Sequence, residues 1–118
     1  MATTSIGTAG VTYPLGTTAT MAPSGDGQTW QNLTSSRSLA TTYTNSTGRT
    51  IMIAVEQNAG TTGGYGGAIS INSVVMPQNY SYSNNFGYKT SMVYLVPAGA
   101  TYSCASSATS LTSWFELR

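Results

Sequence analysis

Thr50-Ile51-Met52-Ile53-Ala54-Val55-Glu56 is the stretch that decides the fold of this chain. Ile51, Ile53 and Val55 recur with a period of two, and Met52, Ala54 and Glu56 fill the alternate positions. That is the period of a strand with two distinct faces; a helix would place its apolar residues three and four apart. Before it, Asn45-Ser46-Thr47-Gly48-Arg49 reads as a turn. After it, Asn58 to Gly67 reads as a glycine-rich loop, with five glycines around Tyr65.

The same signals continue in both directions. Downstream, Ala68-Ile69-Ser70-Ile71 runs through Asn72-Ser73 into Val74-Val75-Met76. Asn tolerates the left-handed backbone of a two-residue hairpin, so a hairpin is expected there, ended by Pro77. Ser91 to Val96 is a buried-type strand. Pro97-Ala98-Gly99 is a turn with Pro in second position, and Thr101-Tyr102-Ser103-Cys104 returns. The final strand alternates Leu111, Ser113, Phe115 and Leu117 against Thr112, Trp114, Glu116 and Arg118. Upstream, Gln28 to Leu33 and Thr41 to Asn45 are short strands. Thr, Ser and Gly interrupt every helical window. Seven or eight short strands at close intervals predict an all-β, single-domain antiparallel β-sandwich, jelly-roll-like, over residues 28–118. Residues 1–27, rich in Thr, Gly, Ala and Pro, are expected to form an extended arm or docking strand.

Composition narrows the chemistry. The 118 residues suit one domain with a real core. Charged residues make up 6%, against about 25% in typical soluble domains. Net charge is +1 with eight Tyr, two Trp and two Phe, so the low charge reads as a hydroxyl- and amide-covered β surface rather than disorder. Arg37, Arg49, Lys89 and Arg118 are scattered and make no basic stripe, so no nucleic-acid partner is expected. Met1 to Gly10 lacks the basic start and apolar run of a signal peptide, and no stretch is long and apolar enough to insert in a membrane.

There is no histidine. A Ser–His–Asp site is impossible, and zinc loses its usual ligands. Cys104 has no cysteine partner and reads as a small buried hydrophobe. Asp26, Glu56 and Glu116 are the three carboxylates. Asp26 fits a glycine-rich turn, Glu56 the end of a strand, and Glu116 a solvated face near Arg118. No catalytic residue, metal ligand or cofactor is predicted, and the expectation is a non-enzyme. Asn32-Leu33-Thr34, Asn45-Ser46-Thr47 and Asn79-Tyr80-Ser81 match the glycosylation sequon, as chance matches in so Asn-, Ser- and Thr-rich a chain.

The strongest binding signal is the loop from Gln78 to Tyr88. Tyr80, Tyr82, Asn84, Asn85, Phe86 and Tyr88 combine rigid amphipathic area with adaptable amides, a mixture suited to protein and sugar surfaces. Packing of these rings against the module's own sheet or a neighbouring subunit is the other reading. Tyr65 among its glycines is the second candidate loop.

Three stretches carry a family resemblance: WQNLTSSRSLATTYTNSTGRTIMIAV from Trp30, VPAGATYSC from Val96, and SWFELR from Ser113. In this order they resemble the C-terminal tip domains of bacteriophage tail fibres and related phage tail proteins. The resemblance implies a virion component, usually homotrimeric, that engages a host cell-surface glycan, protein or outer-membrane component. Two alternatives stand beside it. One is a structural virion protein, a capsid decoration or tail assembly subunit that binds other virion proteins. The other is an accessory domain of a carbohydrate-processing enzyme.

Overall fold

The structure, a computed structural model, describes residues 5–7, 10–12, 18–19, 25–59, 67–78, 89–106 and 109–118. Three short strands, β1 (Ser5–Gly7), β2 (Gly10–Thr12) and β3 (Thr18–Ala19), pair antiparallel with one another as a small separate sheet. The rest is an all-β sandwich of two four-stranded antiparallel sheets.

The first sheet has the order β4-β11-β6-β9 and contains the long strands: β6 (Ile51–Ala59), β9 (Lys89–Val96) and β11 (Thr109–Leu117), with short β4 (Trp30–Asn32) at one edge. The second has the order β5-β10-β7-β8, from β5 (Tyr43–Thr44), β10 (Thr101–Cys104), β7 (Ile69–Ile71) and β8 (Val74–Val75). Only the β7–β8 hairpin keeps the chain within one sheet. Every other connection between β4 and β11 carries it across, so sequence neighbours face one another through the core, as in a jelly roll.

β6 confirms the reading of its two faces and extends past Glu56 to Ala59. Ile51, Ile53 and Val55 are fully buried against Ile69, Tyr102 and Cys104 of the facing sheet. Each such aliphatic side chain contributes about 1.5–3 kcal/mol on burial. Met52, Ala54 and Glu56 point outward.

β11 departs from the expected alternation. Leu111 pairs with Gln57 and packs on the core, but Ser113 pairs with Glu56, so Thr112 is an extra residue in a β-bulge. Because side chains alternate, one inserted residue exchanges the faces of everything that follows. Trp114 and Glu116 therefore turn inward and are fully buried, while Phe115 and Leu117 turn outward.

The hairpin forms as predicted: Asn72 and Ser73 take φ of 49° and 66°, the paired left-handed conformation of a tight two-residue turn. Asn72 exchanges two bonds with Thr101, donating N–H to its carbonyl (2.9 Å) and accepting its N–H at Oδ1 (3.0 Å). The turn after β9 closes with the Ala100 N–H on the Pro97 carbonyl, which makes Pro97 its first residue rather than its second, with Gly99 at φ 77°. Buried Asn45 fastens this end. Its Nδ2 donates to the carbonyls of Arg49 (2.7 Å), Val96 (3.0 Å) and Pro97 (3.0 Å). A glycan on that nitrogen would take one of the two hydrogens that serve these three carbonyls and would have no room on so buried a side chain, so this sequon is a structural turn.

Candidate functional site

The charged chemistry of the chain converges on one buried carboxylate. Glu116 projects from β11 between the sheets and is inaccessible to solvent. Its Oε1 accepts from Arg37 Nε (2.9 Å), the Tyr102 hydroxyl (2.8 Å) and Trp114 Nε1 (3.0 Å). Its Oε2 accepts from Arg37 Nη2 (3.2 Å) and Arg118 Nη1 (3.0 Å). Tyr43 completes the arrangement. The Arg37 guanidinium lies 4.5 Å over its ring, and its edge meets Trp114 at 5.8 Å between centroids. Arg37 comes from the crossover between β4 and β5, Tyr102 from the second sheet, and Trp114 and Glu116 from the first, so the cluster clasps the two layers together.

Electrostatics makes this clasp inert. Burial alone would raise the Glu116 pKa, but the hydrogen bonds from Arg37 and Tyr102 and the Arg37 charge outweigh it and hold the carboxyl below its ordinary value. Burial, reinforced by the bond to Glu116, pushes the Tyr102 phenol up to about 12. A carboxylate held ionised at neutral pH and bonded on both oxygens has no proton to give there and is poorly placed to accept one. The expectation of a solvated Glu116 is thus corrected: the bulge at Thr112 turns it inward. Glu56 does sit on an outer face, where Lys89 lies 3.3 Å away. Asp26 occupies an exposed turn. Cys104 is fully buried, and desolvation lifts its thiol to about 11. Among the described residues no three His, Cys, Asp or Glu side chains come together as a metal site.

The topology gives the sandwich two unlike poles. One carries the end of β6 at Ala59 and the starts of β9 at Lys89 and β11 at Thr109, joined by the pairs Asn58–Lys89 and Ala59–Thr109. The second sheet presents the start of β7 and the end of β10 there, paired as Ile69–Cys104, and β8 returns to it as Met76 donates to the Ile69 carbonyl. Chain segments 60–66, 79–88 and 107–108 therefore all leave from and return to this pole. At the opposite pole, Thr29 and Arg118 exchange two backbone bonds of 3.1 Å, so the body is entered and left there.

Gln57 supports the first pole from beneath. It is fully buried, and its Nε2 donates to Cys104 Sγ (3.2 Å) and the Ala105 carbonyl (3.0 Å), bridging the sheets. A Cβ on Gly67 would collide with the Gln57 side-chain amide, so glycine lets the chain pass closely over it. Gln57 Oε1 and Thr90 Oγ1, on directly paired residues, are buried and have no hydrogen-bond partner among the described residues.

The predicted contact residues Tyr80, Tyr82, Asn84, Asn85, Phe86, Tyr88 and Tyr65 lie outside the described residues; the structure describes the ends of the segments that carry them. Sequence reasoning missed the clasp. Its only trace was the clustering of Arg37, Tyr102, Trp114, Glu116 and Arg118 in the three stretches that carry the family resemblance. No family model, curated protein or solved structure matches the chain.

Proposed function

We propose that this chain is a non-catalytic bacteriophage virion module, a tail-fibre tip domain that binds a host cell-surface glycan, protein or outer-membrane component through the segments around Tyr65 and Tyr80 to Tyr88. One observation carries the reading. The glycine-rich segment around Tyr65 and the aromatic, amide-rich segment 79–88 start and end at the same pole, and the chain enters and leaves the body at the opposite one. A module held at one end and presenting adaptable loops at the other is built to reach a surface. The clasp supports the same reading, because it commits Glu116, Arg37 and Arg118 to scaffold and leaves recognition to hydroxyls, amides and rings. In this reading the protein resides in the virion and works as a homo-oligomer, a trimer by the resemblance.

The test is sedimentation of purified, labelled protein with bacterial cells of a strain panel. Binding to a subset of strains, lost on Tyr82→Ala and Phe86→Ala with the fold intact, is the expected result. Binding that survives both substitutions refutes the site. The separate β1–β2–β3 sheet favours a second reading, a decoration or tail assembly subunit whose partners are other virion proteins. Locating the protein on the capsid lattice by electron microscopy would decide for it.

A further inference from the structure

The outer face of the β4-β11-β6-β9 sheet is apolar where a solvated sheet would be polar. Strand register aligns Trp30, Leu117, Met52 and Leu95 as one row across all four strands. Phe115, Ala54 and Val93 form the next row. Trp30, Val93 and Leu95 are 51%, 55% and 52% exposed. The bulge at Thr112 creates this face, since it turns Phe115 and Leu117 out as it turns Trp114 and Glu116 in. β1, β2 and β3 pair only with one another and add no strand to this sheet.

We propose that this face is the contact surface between copies of this chain. Three observations select a second copy as occupant. First, the face has no net charge: its two charges, Glu56 and Lys89, pair with each other at 3.3 Å, and Glu116 with its arginines points into the core. Two copies can meet without opposing like charges, and a charged partner finds nothing to pair with. Second, the face carries both relief and recess. Small Ala54 between Phe115 and Val93 leaves a hollow of about 110 Å³, bounded on its polar side by Ser113, Glu56 and Ser91, while Trp30 and Leu95 stand proud in the adjoining row. A projection and a recess on one surface let one copy seat against the next, whether the contact is two-fold or closes a ring. Third, the apolar side chains expose on the order of 400 Å² per copy, in the range of the largest apolar patches on monomers, which are often functional. Doubled, and with the rim of Asn32, Ser91 and Ser113 included, the contact reaches the ~1,000 Å² at which specific interfaces begin.

The surface lies on the flank of the sandwich, away from the pole proposed for receptor contact; the inference rests on the homo-oligomer part of the proposed function and is independent of the receptor site, which cell binding tests separately. The experiment is light scattering of the full chain at micromolar to hundred-micromolar concentrations, wild type against Val93→Lys and Leu95→Glu. The wild type is expected to exceed its 12.3 kDa monomer mass, and each variant to dissociate at least tenfold more readily while its far-ultraviolet circular dichroism stays unchanged. Val93→Cys supplies an independent reading: under oxidation it should give a covalent dimer, since Cys104 is fully buried and cannot compete. A wild type that remains monomeric throughout overturns the proposal and leaves the face to a different protein or to residues 1–24. Lysine and glutamate variants that keep the wild-type oligomer mass, together with a Val93→Cys variant that forms no covalent dimer, overturn it equally.

Discussion

Glu116→Gln isolates the charge of the clasp from its shape. The substitution can keep a carbonyl at the Oε1 position, where the Tyr102 hydroxyl, Trp114 Nε1 and Arg37 Nε converge. At the Oε2 position it sets an amide NH2 against Arg37 Nη2 and Arg118 Nη1, so two acceptor contacts become donor against donor. Hydrogen bonds to a charged group are worth about 1.5–3 kcal/mol each, which for two gives a ceiling of about 6 kcal/mol. Both arginines keep some access to water, with side chains 14% and 25% exposed, and can recover part of that loss by solvation. Breaking a buried ion pair by removing one partner costs about 3–5 kcal/mol, and partial exposure lowers the expectation here to about 2–4 kcal/mol. At this chain length that is a fall in Tm of roughly 8–16 °C. Urea unfolding followed by tryptophan fluorescence and circular dichroism measures it. The double variant with Arg37→Met should recover part of the loss, because it removes the cation left without its carboxylate. A loss below about 1 kcal/mol, or strict additivity with Arg37→Met, would refute the argument that this charge holds the layers together.

Three further expectations follow from the same geometry. Because the folded Glu116 carboxyl lies below its unfolded value, its stabilisation is complete above the ordinary carboxylate pKa of about 4.3 and drains away as pH falls toward the folded value; Glu116→Gln should flatten that acid limb of stability against pH. The raised Tyr102 phenol gives the opposite limb: its contribution is whole below the unfolded pKa of about 10 and is lost as pH rises to about 12, so Tyr102→Phe should flatten the alkaline limb. Gly67→Ala should cost about 1–3 kcal/mol by overpacking against the buried Gln57 amide, and less in a Gln57→Ala background, as read by paired urea titrations.

The strands were legible because their signals are local. The alternation of Ile51, Ile53 and Val55, the Asn72-Ser73 turn and the buried-type run from Ser91 each depend on residues within one element. What was not legible is the phase of β11. Leu111, Phe115 and Leu117 are the apolar set by composition, and periodicity alone assigns them to the core. The bulge at Thr112 overrules it, because the facing sheet supplies Tyr102 and Tyr43, and the β4–β5 crossover supplies Arg37, as partners for an indole and a carboxylate, and no propensity records partners 14 to 79 residues away.

That reversal ties the core to the surface. Once Trp114 and Glu116 turn inward to satisfy the clasp, the residues between and beyond them must turn outward, and these are Phe115 and Leu117. The outward direction of residues 115 and 117 is therefore a geometric consequence of the buried charge cluster; their apolar character is not. A chain under pressure only to stay monomeric could carry Thr or Ser at 115 and 117 without disturbing Glu116, since all five of its hydrogen bonds come from other side chains. Apolar residues at outward positions that the clasp leaves unconstrained, aligned with Met52, Leu95 and Val93, point to a surface that is covered when the protein works.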